Sequence, residues 1–199
     1  MIQALYECPA VQDCETPVLP SVAFDECSPD ASRRAEINRV YVSYEDPANA
    51  GVPATGAITW SDATAITTAF NGTNGIILTV IGDKPDPEED QRQVSNNRTI
   101  IGERTHTINA TIDDMSDDNY EFVRSMQMGG KYIIWYETIG GSVFGGDEGI
   151  LANVNSATLP LERGDGNYEA GNVQFSWKKV CDPPREDSAL SANYVAPGV

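Results

Sequence analysis

Five carboxylates fall within nine positions of the stretch TIDDMSDDNYEFVRSM, residues 111–126: Asp113, Asp114, Asp117, Asp118 and Glu121. Such a density could hold a divalent cation, supply an acid–base pair, or favour the positive end of a helix dipole. A calcium loop requires D-x-D-x-D-G spacing with a glutamate at its twelfth position, and that spacing is absent. The helix reading accounts for more of the residues. Ser116 is a good N-cap, Asp117, Asp118 and Glu121 follow in the first turns, and Arg124 lies near the far end. Gly129–Gly130 then stops the helix. Tyr120, Val123 and Met126 recur as its apolar stripe, and Asp113 and Asp114 belong to the preceding turn.

Other chemistry is sparse. The one histidine, His106, lies in a Thr-rich segment, and a Ser-His-Asp site would need it beside an exposed nucleophile. The nearest elbow, GGSVFG around Ser142, has Phe144 where G-x-S-x-G requires glycine, so His106 is read as a satisfied strand residue. GGSVFGG and GDKPDP both lack the Lys-Ser/Thr end of a phosphate loop. With 30 acids, carboxylate pairs at glycosidase spacing arise by chance. Trp60, Trp135 and Trp177 sit in apolar contexts and are assigned to the core, while Tyr132 and Tyr136 leave a sugar-stacking face open. N-x-T triplets at Asn71, Asn97 and Asn109 matter only in a eukaryotic secretory setting. No catalytic residue, metal site or cofactor is expected, which favours a structural or binding protein over an enzyme.

The cysteines, Cys8, Cys14, Cys27 and Cys181, lack the tight C-x-x-C pairs of common zinc sites. Three readings stay open: free or partly paired thiols, a bridge such as Cys8 to Cys14, or a metal cluster drawing Cys181 to the N-terminal arm.

The 199-residue chain carries 30 acids against 13 bases, a formal charge of -17. Such a surface repels duplex DNA and anionic membranes. No apolar run approaches the roughly 20 residues of a membrane helix. The start, MIQALYECPAVQDCETP, lacks the basic and apolar regions of a secretory signal.

The positioning elements follow from periodicity. Residues 1–36 form a Cys- and Pro-rich arm, 37–181 the main domain and 182–199 a loose tail. Within the domain, strands are predicted at Asn38–Tyr44, up to Trp60, at Ile76–Ile81 (apolar on both faces), Thr99–Ile112, Lys131–Ile139, Ile150–Leu161 and Asn172–Val180. SDATAITTAFNG reads as a short helix capped by Ser61, with Ile66 and Phe70 on one face and Gly72 at its stop. Residues 82–97, GDKPDPEEDQRQVSNN, read as a long polar loop, a length that compact domains reserve for function or disorder. The count is six to eight strands with one convincing helix inserted late: a mainly β (α+β) sandwich or barrel, its flanking helix near 116–127.

From Thr99 to Val180 the order is a long strand (TIIGERTHTINATI), a capped helix (SDDNYEFVRSM), an apolar strand (KYIIWYET), a Gly-rich turn, a Pro-broken strand (ANVNSATLPLERGD) and a Trp-containing strand (NVQFSWKK). This order resembles the tail tube proteins of bacteriophages and the inner-tube proteins of related injection machines. The resemblance covers about 80 residues at the level of pattern, where boundaries shift by about two to four positions. The Cys-rich arm departs from that pattern and leaves room for a related ring: a head-to-tail joining or tail terminator protein, or a ring component of a crAss-like phage.

The resemblance implies a virion structural protein without enzymatic activity. Its partners would be itself, in stacked hexameric rings, other tail proteins, and passing DNA that is not specifically bound. It would be made in the host bacterial cytoplasm and would not contact membrane. A ring of six carries roughly -100 formal charges, so its bore offers phosphates few cationic sticking points. Asp113, Asp114, Asp147 and Glu148 are the expected lumen acids. Pro85, Asp86, Pro87, Glu88, Glu89 and Asp90 are the expected inter-subunit loop. The alternative is a secreted or surface β-sandwich that binds carbohydrate or calcium.

Overall fold

The computed structural model describes residues 34–44, 58–95, 98–160 and 169–190, the side chains of 90–101 excepted. Nine strands and two helices follow in chain order: β1 (Ile37–Ser43), α1 (Ala63–Ala69), β2 (Gly75–Asp83), β3 (Glu88–Ser95), β4 (Arg98–Ile112), α2 (Asp117–Met126), β5 (Lys131–Thr138), β6 (Ser142–Phe144), β7 (Ile150–Thr158), β8 (Gly171–Lys179) and β9 (Arg185–Asp187). The hydrogen-bonded order β1-β2-β4-β8-β7-β5 closes because β5 pairs back onto β1. The result is a closed, six-stranded antiparallel barrel, one of the two mainly β architectures that the strand pattern left open. β3 lies outside it on β4, and β6 and β9 extend from β5.

Period-two alternation fills the barrel with side chains. From β4 come Ile108, Ala110 and Ile112, from β8 Val173, Phe175 and Trp177, and from β5 Tyr132, Ile134 and Tyr136. α2 adds Val123 and Met126 to this core and packs on β7 and β8. A second core lies outside the β1–β5 wall, where Tyr41, Ile133 and Trp135 meet Trp60, Ile66, Phe70 and Val143. Two packed faces explain why KYIIWYET is apolar almost throughout: Tyr132 to Thr138 are all buried. Gly149 permits this close outer packing. Its φ is +86°, and a Cβ there would lie 2.5 Å from Ile133 Cγ2 and 2.6 Å from Trp135 Cε2.

Several elements differ from the sequence reading. β2 is paired on both sides, with β1 and β4, as a central strand is, but it buries Leu78 and Val80 and leaves Ile81 58% exposed, so its far end is apolar on one face only. The second core sits on the neighbouring wall and does not cover that end of β2. Trp60 lies in a turn rather than at a strand end. Asp62, not Ser61, caps α1: its Oδ1 accepts the Thr64 N–H at 2.8 Å. Ile66 and Phe70 are buried as expected, and Gly72 takes φ +86° in the turn that follows. Ser116 occupies the N-cap of α2, but its side chain makes no capping bond. Asp114 takes over locally, its Oδ1 accepting the Ser116 N–H at 3.2 Å while Asn119 Nδ2 donates to its carbonyl at 2.8 Å. Val123 and Met126 face inward, whereas Tyr120, expected beside them, is 41% exposed at the end of the stripe.

The largest difference concerns residues 82–97. β2 continues through Asp83, and Glu88–Ser95 is a strand paired with β4, so only residues 84–87 remain as a connection before it. Polar composition here marks a strand paired through its backbone, not irregular backbone. The tail is likewise partly built in. β9 pairs with β6, and the Ser188 and Ala189 N–H groups donate to Gly141 O (3.0 Å) and Trp60 O (2.9 Å). At the other boundary, Arg34 O and Glu36 O accept from Gly140 and Ile139. Most of the expected arm, 1–33, and residues 191–199 lie outside the described residues.

Candidate functional site

The expected inter-subunit segment begins with Pro85, Asp86 and Pro87 in the connection and continues with Glu88, Glu89 and Asp90 in β3. Its hairpin protrudes. β4 pairs with β8 only from Arg104 onward and with β2 only near Asn109–Thr111, so Arg98–Glu103 pair with β3 alone among the described strands. Glu89 and Arg104 clasp its base at 2.7 Å. A two-stranded ribbon is marginal by itself. Among the described strands none pairs with its outer edge, and the backbone donors and acceptors of such an edge are the groups through which sheets extend onto neighbours.

The four expected lumen acids are all exposed but are not brought together. Asp113 and Asp114 lie in the β4–α2 turn. Asp147 and Glu148 lie in the β6–β7 turn, which Gly145 and Gly149 seat on the outer wall at Trp135. There the Asp147 carbonyl accepts the Ile58 N–H at 3.0 Å.

His106 has the inward parity of β4 and stands opposite Trp177 of β8, its ring stacked on the indole at 5.2 Å. Nε2 is 3.2 Å from Lys179 O, so the ring is a satisfied strand residue on that side. Its other nitrogen, buried and without a hydrogen bond among the described residues, faces a carboxylate that the sequence reading missed. Nδ1 lies 3.5 Å from Asp182 Oδ1, which also accepts from Lys84 Nζ at 2.8 Å. Burial holds the imidazole below its ordinary pKa, and the nearby Lys84 and Arg104 add to that while Asp182 opposes it. Burial pushes the Asp182 carboxyl up, but Lys84, through its hydrogen bond and charge, together with His106 and Arg104, leaves a net lowering. Ser142 is buried in β6, its carbonyl accepting from Thr138 Oγ1 at 3.4 Å.

The wall between the cores holds a buried carboxylate that periodicity did not single out. Glu137 is fully buried and accepts from Tyr41 Oη and, at 3.2 Å, from Arg39 Nη1. Burial, then the Glu137 charge, drive the Tyr41 phenol far above its ordinary pKa. The available signal was a lone acid inside an apolar strand together with a lone base in NRVYVS.

Trp60 and Trp135 are core, as expected, and both donate Nε1 hydrogen bonds to Gly146 O, at 3.1 and 2.8 Å. Tyr132 and Tyr136 are also buried, which removes them as a sugar-stacking face. Asn71 lies in an exposed turn, Asn109 in β4 accepts from Gln174 Nε2 at 2.9 Å, and Asn97 falls outside the described residues. Cys181 is disulfide-bonded, so it has no thiolate to give and the four-thiolate cluster does not form. Cys8, Cys14 and Cys27 lie outside the described residues. Among the described residues no group of three or more His, Cys, Asp or Glu side chains could hold a metal ion. No described helix is long and apolar enough to cross a membrane.

Comparison with protein-family models, with curated proteins and with solved structures found no match to this chain.

Proposed function

We propose that the chain is a virion structural protein, a subunit of a hexameric ring that stacks into a phage tail tube and conducts DNA through an acidic lumen. One observation carries this reading: a closed, side-chain-filled barrel projects a two-stranded hairpin whose outer edge no described strand covers. Closure removes the strand edges of the six barrel strands, so sheet extension onto a neighbour has to use the strands outside the barrel. The net charge of -17 supports passage of nucleic acid over capture of it. The disulfide at Cys181 suits an extracellular particle, since such bonds persist on virions and in secreted proteins alike. It equally suits the second reading, a secreted carbohydrate- or calcium-binding module, though the burial of Tyr132, Tyr136 and Trp135 weakens that one.

Size-exclusion chromatography with negative-stain imaging of the purified chain decides between them. Rings or tubes support the tail-tube reading. A monomer at all concentrations that binds glycans or calcium supports the other. Deleting Pro85–Ser95 should leave a folded barrel that no longer stacks, and tubes formed at normal yield would remove the hairpin from the assembly.

A further inference from the structure

One end of the barrel opens into a cavity of about 500 Å³, within the size range of small-molecule sites. Its apolar floor is the Tyr136–Phe144 pair, stacked with centroids 4.9 Å apart and planes 8° from parallel. Around it stand Arg34, Lys84 and Arg185, with Asp182 as the one acid in the lining. Asp182 is already engaged by Lys84. Among the described residues, neither guanidinium has a carboxylate partner. In a chain with more than two acids per base, two arginines at one cavity with no carboxylate partner among the described residues are out of keeping with that composition. Guanidinium groups recognise carboxylate and phosphate through paired N–H donors, and an aromatic floor accepts a flat apolar body.

We propose that this cavity is a binding site for a small organic anion, a carboxylate or phosphate carried on a flat apolar group. Arg34 and Arg185 would hold the anion, the Tyr136–Phe144 stack would receive the body, and the Lys84–Asp182 pair would form a neutral rim. The inference does not depend on the ring assembly.

Isothermal titration of the full chain with phenyl phosphate tests it, with inorganic phosphate alone and benzyl alcohol as the two half-ligands. The expected result is saturable binding at one site per chain, with each half-ligand at least about tenfold weaker. Arg34→Gln and Arg185→Gln should each weaken phenyl phosphate about tenfold, the loss of roughly one charge-assisted contact. Both side chains are exposed, so the fold should survive either change, and Lys131→Gln on a distant exposed lysine should bind as the parent does. Absence of saturable binding would overturn the site. So would equal affinity for inorganic phosphate, or unchanged binding in both arginine variants.

Discussion

Tyr41 donates its phenolic hydrogen bond to Glu137, and both side chains are fully buried in the barrel wall between β1 and β5. Arg39, the register partner of Glu137, supplies the compensating charge from a site that keeps contact with solvent. Removing one member of such a group leaves an uncompensated buried carboxylate. Arg39→Met should therefore cost about 3–5 kcal/mol, and Tyr41→Phe about 1–3 kcal/mol. Adding Glu137→Gln to Arg39→Met should recover part of the loss. Urea midpoints of the four proteins check this, and a double variant no more stable than Arg39→Met would mean that the charge is not the cost.

The helix caps make a second test. Asp62→Ala should destabilise by about 0.5–2 kcal/mol, because its carboxylate holds the first turn of α1. Ser61→Ala and Ser116→Ala should each change stability by less than about 0.5 kcal/mol, since neither side chain acts as a cap. Val123→Asp should prevent folding by placing an unpaired charge in the core. Thermal melts followed by circular dichroism separate these outcomes.

His106 predicts a pH dependence with a definite sign. Its folded pKa is lowered, chiefly by burial, so below the ordinary value the unfolded chain takes up a proton that the folded chain resists. The contribution is absent above about pH 6.5, where both states are neutral, and stability falls as pH drops from there towards the folded pKa. His106→Phe keeps a ring against Trp177 and should flatten the urea midpoint between about pH 7 and pH 5, above the range where most carboxylates titrate. A slope unchanged by that substitution would assign the effect to other groups.

The two acid pairs occupy different turns, which makes lumen exposure separable. In an assembled tube, reversing Asp113 and Asp114 to Lys changes the charge by about four units per subunit and roughly 24 per hexamer, enough to create salt-dependent phosphate contacts. The same holds for Asp147 and Glu148. Whichever pair faces the bore should impair DNA ejection at low salt and recover at high salt, with normal assembly. If neither reversal affects ejection from particles that contain the variant, these acids do not line the path.

Strand positions and faces were legible because alternation leaves a direct imprint. Ile108, Ala110 and Ile112 in β4, and Val173, Phe175 and Trp177 in β8, point inward as their spacing requires. The apolar run of β5 marked it as a strand, but its burial on two faces appears only with the second core, and the two-faced reading belonged to β2, which buries one face at its far end. Hydrophobic burial acts residue by residue, so local pattern is enough to reveal it. The hairpin of β3 and the pairing of β9 left no such imprint. Both are polar strands held by backbone hydrogen bonds, which any side chain permits, so their residues read as loop and tail.

The choice between sandwich and barrel could not be made from one chain of letters either. Closure depends on β5 returning to β1 across nearly 100 positions, a pairing set by the summed twist and register of six strands. That same closure sets Glu137 beside Arg39 and Tyr41. Together with β9 and the segment before β1, it gathers Arg34, Lys84 and Arg185 around one cavity. Sequence by itself determined the charge, the strand faces and the absence of familiar catalytic motifs. Tertiary structure alone decided which distant polar groups meet, because those meetings arise from long-range strand pairing rather than from any local preference.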